Sequence, residues 1–85
     1  MRPAKLFARI TNGTVTNIAF SDLVILLNSL RFREIGGKGS HRVFARPGVT
    51  EFLTLQEECG QAKPYQVRQV ATLSRRSNLH LEGEP

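Results

Sequence analysis

Gly36-Gly37-Lys38-Gly39-Ser40-His41-Arg42-Val43-Phe44-Ala45-Arg46-Pro47-Gly48-Val49-Thr50 is the stretch whose reading decides the fold. A glycine cluster, a short run carrying Val and Phe, and then Pro-Gly read as turn, strand, turn. Extending the pattern to both sides gives candidate strands at 31–36, 41–46 and 51–56. The links Gly36–Gly39 and Pro47–Thr50 are short, and short links join antiparallel neighbours. The centre of the chain is therefore expected to be a three-stranded antiparallel meander.

Helical patterns flank it. Residues 4–12 place Leu6, Phe7 and Ile10 on one side, with Gly13 as a stop. Phe20-Ser21-Asp22 is a start signal: Ser21 can cap free N–H groups, Asp22 suits the positive helix end, and Phe20 stands at staple spacing from Ile25. Leu23, Leu26, Leu27 and Leu30 follow i, i+3, i+4, i+7, giving one apolar face that Val24 and Ile25 widen. Pro64 suits the first position of a last helix over 64–76. There Val67, Val70, Ala71 and Ser74 share a face, and Arg68, Thr72, Arg75 and Arg76 lie elsewhere. Residues 77–85 read as a loose tail. A sheet covered on one face by helices is an α+β two-layer domain, and its other face is where a site is expected.

Eighty-five residues make one small domain, and an apolar fraction of 40% is enough to fold it. The formal charge is +5, and it becomes +7 when Glu82 and Glu84 of the tail are set aside. A basic domain of this size suits a polyanion, most often nucleic acid; an acidic protein partner is the alternative. Cys59 is the single cysteine, so neither an internal disulfide nor a cysteine-based zinc site is expected. No apolar stretch approaches the roughly 20 residues that span a bilayer. The basic N-terminus lacks a following signal-type apolar core, so a cytoplasmic protein is expected.

Chemistry concentrates at the glycine-rich turn. Backbone N–H groups and Lys38 can cradle a phosphate there. His41 opens the middle strand, and alternation sends it to the face opposite Phe44. A histidine side chain can take or give a proton at cell pH, so His41 is a candidate acid–base group. On residue types alone, a lone histidine at a strand start is more often a surface or hydrogen-bonded residue than a catalyst, and the glycines can be an ordinary hairpin turn. His41 and His80 with scattered acids offer no metal-ligand spacing, and no cofactor is expected.

The segment from Phe20 to Arg76 resembles the HicA-type toxins, mRNA interferases of bacterial type II toxin–antitoxin modules. The resemblance is carried by the apolar helix from Ser21-Asp22-Leu23, Gly39-Ser40-His41 with Phe44 three positions on, the Pro47-Gly48 turn, an apolar third strand and the helix after Lys63-Pro64. It implies a fold similar to the double-stranded-RNA-binding domain over 20–76 and a ribonuclease working without a metal. It maps the essential histidine onto His41 and its neighbouring glycine onto Gly39. Glu57-Glu58 and Gly60–Tyr65 resemble a subgroup with an N-terminal extension, here residues 1–19. Where many members carry a second histidine, this chain has Arg42.

The expected roles follow. His41 is the general base; Lys38, Gly39, Ser40 and Arg42 contact RNA, with Lys38 and Arg42 as fixed cations. The expected partners are mRNA and a HicB-type antitoxin that covers His41, with operator DNA reached only through that antitoxin and no membrane. The competing readings are a non-catalytic RNA-binding module and an inactivated interaction protein.

Overall fold

Lys38 and His41 face each other across the two-residue loop Gly39-Ser40, and the sheet grows from that hairpin. The structure, a computed structural model, describes residues 1–81. Its elements are α1 (Pro3–Thr11), α2 (Phe20–Ser29), β1 (Arg33–Lys38), β2 (His41–Arg46), β3 (Val49–Glu58), β4 (Gln61–Ala62) and α3 (Pro64–Arg76). The strands form one antiparallel sheet in the order β1-β2-β3-β4. The α+β class is as expected, but the sheet has four strands where the sequence predicts three. The extra strand follows a two-residue turn in which Cys59 and Gly60 both have positive φ, 51° and 80°. That is the sign pattern of a type I′ hairpin turn.

The helices pack on one face. Phe44, Leu53 and Leu55 are buried beneath them, and the alternate residues Val43, Phe52 and Thr54 are not. Leu23, Leu26, Leu27 and Leu30 are all buried, as their spacing requires, and so are Val67, Val70, Ala71 and Ser74 of α3. Leu6 and Ile10 of α1 are buried in the same cluster. The segment expected as an extension, residues 1–19, thus contributes to the one core. Ile18 and Ala19 also close the sheet edge at β4: the Ala62 N–H donates to the Ile18 carbonyl at 2.9 Å, and Ala19 bridges Gln61.

Two local expectations are corrected here. Helix α2 is not capped by Ser21; it begins at Phe20 without a side-chain cap. The Phe20 N–H instead donates to the Gly60 carbonyl at 2.9 Å, so the β3–β4 turn satisfies one of the free N–H groups of the helix end. The Phe20–Ile25 staple is absent, since Phe20 is buried and Ile25 is 49% exposed.

The other corrections share one cause. Helix α2 ends with Arg31 at φ 70°, the Phe32 N–H returning to the Leu27 carbonyl and the Arg31 N–H to that of Asn28. This is a Schellman closure. It uses up Arg31 and Phe32, so β1 starts at Arg33 rather than at 31. Helix α3 closes the same way through Asn78 at φ 52°, with the Leu79 N–H on the Ser74 carbonyl at 2.8 Å. The reversal turns Leu79 back onto the core, and Leu81 is buried with it. The first part of the expected loose tail is therefore packed, and residues 82–85 lie outside the described residues.

Candidate nucleic-acid interface

The open sheet face is built by alternation. Lys38 of β1, His41 and Val43 of β2, and Phe52, Thr54 and Gln56 of β3 fall on it, away from the helices. His41 is exposed and sits between Lys38 on one side and Gln56 on the other, its direct cross-strand partners. Directly opposed side chains have Cβ atoms about 4.5–5.5 Å apart, so both neighbours reach the space around the imidazole. Gln56 Nε2 donates to Ser40 Oγ at 3.2 Å, holding the turn hydroxyl beside His41.

The turn itself depends on glycine. Gly39 has φ 64° and Ser40 a negative φ, the sign pattern of a type II′ turn. Gly37 has φ 145°, and a Cβ there would run into the His41 carbonyl oxygen and stand 3.0 Å from Arg42 Cα. No side chain can replace it without moving the strand that carries His41.

Arg42 is placed differently from the other four. It follows His41, so it points to the helix side with Phe44. Its guanidinium lies 5.3 Å from the centroid of the Phe20 ring and 5.7 Å from that of Phe44. Its Nε donates to Glu34 Oε2 at 3.0 Å and its Nη2 to Glu34 Oε1 at 2.7 Å. The hydrogen bonds from Arg42 hold the Glu34 carboxyl below its ordinary range and push the Arg42 guanidinium up. The structure thus brings together Lys38, Gly39, Ser40 and His41, and puts Arg42 on the other side of the sheet.

Gln66 is not legible in the sequence as part of this region. Gln66, buried on α3, accepts from the Gln56 N–H at 2.8 Å and donates to the Thr54 carbonyl at 3.1 Å. Its amide replaces a neighbouring strand along the edge of β3, and it thereby fixes the strand that carries Gln56. A buried glutamine among apolar helix positions is a signal that periodicity passes over.

Depressions lie at two other places on the surface. One, of about 590 Å³, lies at the far end of β2 and is lined by Arg31, Arg33 and Arg46 with Asn28. Arg46 is held there by the Leu30 and Pro47 carbonyls, at 2.8 and 2.9 Å. The other, of about 370 Å³, runs between β3 and α3. Among the described residues, no group of three or more His, Cys, Asp or Glu side chains is placed to hold a metal ion, and no helix is long and apolar enough to cross a membrane.

Comparison with protein-family models, characterised proteins and solved structures finds no match for this chain.

Proposed function

We propose that the protein is the toxin of a type II toxin–antitoxin pair, an endoribonuclease that cuts mRNA with His41 as general base. The observation that carries the reading is the position of His41: exposed, at the head of the central strand, on the helix-free face, with Lys38 and the Gly39-Ser40 turn beside it. The resemblance of residues 20–76 to HicA-type toxins points the same way. The order helix, three long strands, helix supports a fold similar to the double-stranded-RNA-binding domain for that segment.

In the proposed reaction the neutral imidazole of His41 takes the proton of an RNA 2′-hydroxyl. The 2′-oxygen attacks the adjacent phosphorus, the bond from phosphorus to the 5′-oxygen breaks, and a proton from Lys38 or water goes to that oxygen. The products are a 2′,3′-cyclic phosphate and a 5′-hydroxyl. General-base catalysis of this kind contributes roughly 10²- to 10⁴-fold. Lys38 and the turn N–H groups stabilise the charged phosphorane. Ser40, positioned by Gln56, orients the phosphate. Arg42 supports the strand from behind and takes no part at the phosphate. The proposed setting is cytoplasmic, with a HicB-type antitoxin covering His41 and reaching operator DNA on the toxin's behalf.

A non-catalytic RNA-binding module is the second reading. It is favoured by the ion pair of Arg42 with Glu34, which turns Arg42 away from His41 and leaves Lys38 as its cross-strand cation. The two separate on one gel: purified protein and RNA in EDTA, wild type beside His41→Ala. Cleavage reduced at least about a hundredfold by the substitution, with cyclic phosphate ends, is the expected result. Fragments carrying only 3′-hydroxyl ends would overturn the chemistry, and RNA binding without cleavage by either protein would favour the module.

A further inference from the structure

The groove between β3 and α3 holds two aromatic side chains that the fold does not bury. Phe52 is 63% exposed and Tyr65 55% exposed, and both line it. Two exposed rings lining one groove offer flat apolar faces on which a planar ligand can stack. The rest of the lining sets its chemistry. Arg68, Gln69 and Thr72 come from the exposed side of α3. Glu51, the one acid among the described lining residues, is paired with Arg76. Among the described residues Arg68 has no ion-pair partner and the groove no unpaired carboxylate, so it presents a guanidinium beside two rings.

Phe52 also stands on the same face of β3 as Gln56, the cross-strand partner of His41. Four residues of strand rise and one step between strands put Phe52 about 14 Å from His41. That distance corresponds to about four stacked nucleotides at ~3.4 Å each, or fewer in an extended strand. We infer that this groove is a stacking site for single-stranded RNA, in which Phe52 and Tyr65 receive bases and Arg68 a phosphate of the strand that runs on across His41. The volume, about 370 Å³, lies at the small end of the ~300–1,000 Å³ typical of ligand pockets and suits one or two nucleotides. Stacking accepts any base, so the groove supplies affinity and position without a sequence code. The assignment of RNA as ligand rests on the proposed function.

The test uses the full chain with His41→Ala, which separates binding from cutting. The probe is a fluorescein-labelled single-stranded RNA of ten nucleotides, with a duplex of the same sequence as comparison. Adding Phe52→Ala or Tyr65→Ala is expected to weaken single-strand binding about 5- to 150-fold each, the range for loss of one base–aromatic stack. Adding Arg68→Gln is expected to lower the salt slope by about one phosphate contact. Affinity within twofold of the parent for both aromatic variants would overturn the inference. So would equally tight, unaffected binding of the duplex, or no RNA binding by the parent. If the aromatic variants lose affinity although the wild-type chain cuts no RNA, the groove stands and the ribonuclease reading falls. If the wild type cuts through His41 while the aromatic variants bind and cut unchanged, the reverse holds. An acidic protein displacing no RNA from the groove, yet losing its own binding in Phe52→Ala, would assign the groove to a protein partner and overturn the inference.

Discussion

Arg42 and Glu34 meet through two parallel hydrogen bonds, 3.0 and 2.7 Å long, across the β1–β2 pair and beneath the ring of Phe20. The planar guanidinium matches the carboxylate and lies on two aromatic rings at once, which a lysine could not do. Arg42→Ala is therefore expected to cost about 1–2 kcal/mol of stability, through lost cation–π contact and lost cover of Phe20 and Phe44. It is expected to leave RNA affinity within twofold, because Arg42 is on the helix side. Denaturant unfolding beside RNA titration checks both; a large loss of affinity with unchanged stability would put Arg42 in the interface.

The same pair sets an acid dependence. Glu34 is held below its ordinary value of 4.5 by hydrogen bonds from Arg42. A depressed folded value means that the unfolded chain takes up the proton first. The contribution is present at neutral pH and lost as the pH falls below about 4.5 and through the lower folded value. Thermal melts in this range should show a shallower acid decline for Glu34→Gln than for the wild type. Identical slopes would mean that the pair does not report on folding.

Much of this architecture is legible in the residues, and the places where it is not have physical causes. The leucine spacing of α2 and Pro64 at the start of α3 describe helices that the structure contains. Alternation from Phe44 puts His41 on the open face; the same alternation puts Arg42 with Phe44, although it is expected above as an RNA contact. The turn after β2 is harder. The expected strands 41–46 and 51–56, joined by Pro47–Thr50, oppose His41 to Gln56, and the structure has that pair. It closes the loop on Pro47-Gly48 alone, with Arg46 opposite Val49, and takes up the difference as a register shift between Phe44 and Arg46. Bulges depend on tertiary packing and leave little trace in composition. The fourth strand escapes because Cys59-Gly60 is not among the pairs that announce a type I′ turn, and the first strand starts late because Arg31 takes the left-handed position usually given to glycine.

Three glycines of the β1–β2 hairpin are expected to respond differently to alanine. Gly37→Ala meets the His41 carbonyl and the Arg42 backbone at a φ of 145°, and should cost well over ~2 kcal/mol and displace His41. Gly39→Ala meets nothing but must hold φ 64°, and should cost about 1–2 kcal/mol. Gly36→Ala has open space and no left-handed backbone, and should stay within about 0.5 kcal/mol of the wild type. Urea midpoints rank them, and any order other than 37, 39, 36 would contradict the geometry.

Gln66 offers a sharper test, because its amide serves β3 as a strand would. Gln66→Leu keeps the apolar contact of the position and removes three hydrogen bonds, the third running from Nε2 to the Tyr65 hydroxyl at 3.3 Å; it leaves the Gln56 N–H and the Thr54 carbonyl without their partner. The expected loss is about 1–3 kcal/mol for each group that water cannot reach. Gln66→Glu is the informative companion. Its ionised carboxylate still accepts from the Gln56 N–H but has nothing to donate to Thr54. It should therefore lie between wild type and Gln66→Leu, and approach the wild type as acid protonates it and restores a donor. Amide hydrogen exchange follows the same logic at one site: Gln56 exchange should speed up in Gln66→Leu and stay protected in Gln66→Glu. Equal protection of Gln56 in all three proteins would mean that the edge of β3 is held by something other than this side chain.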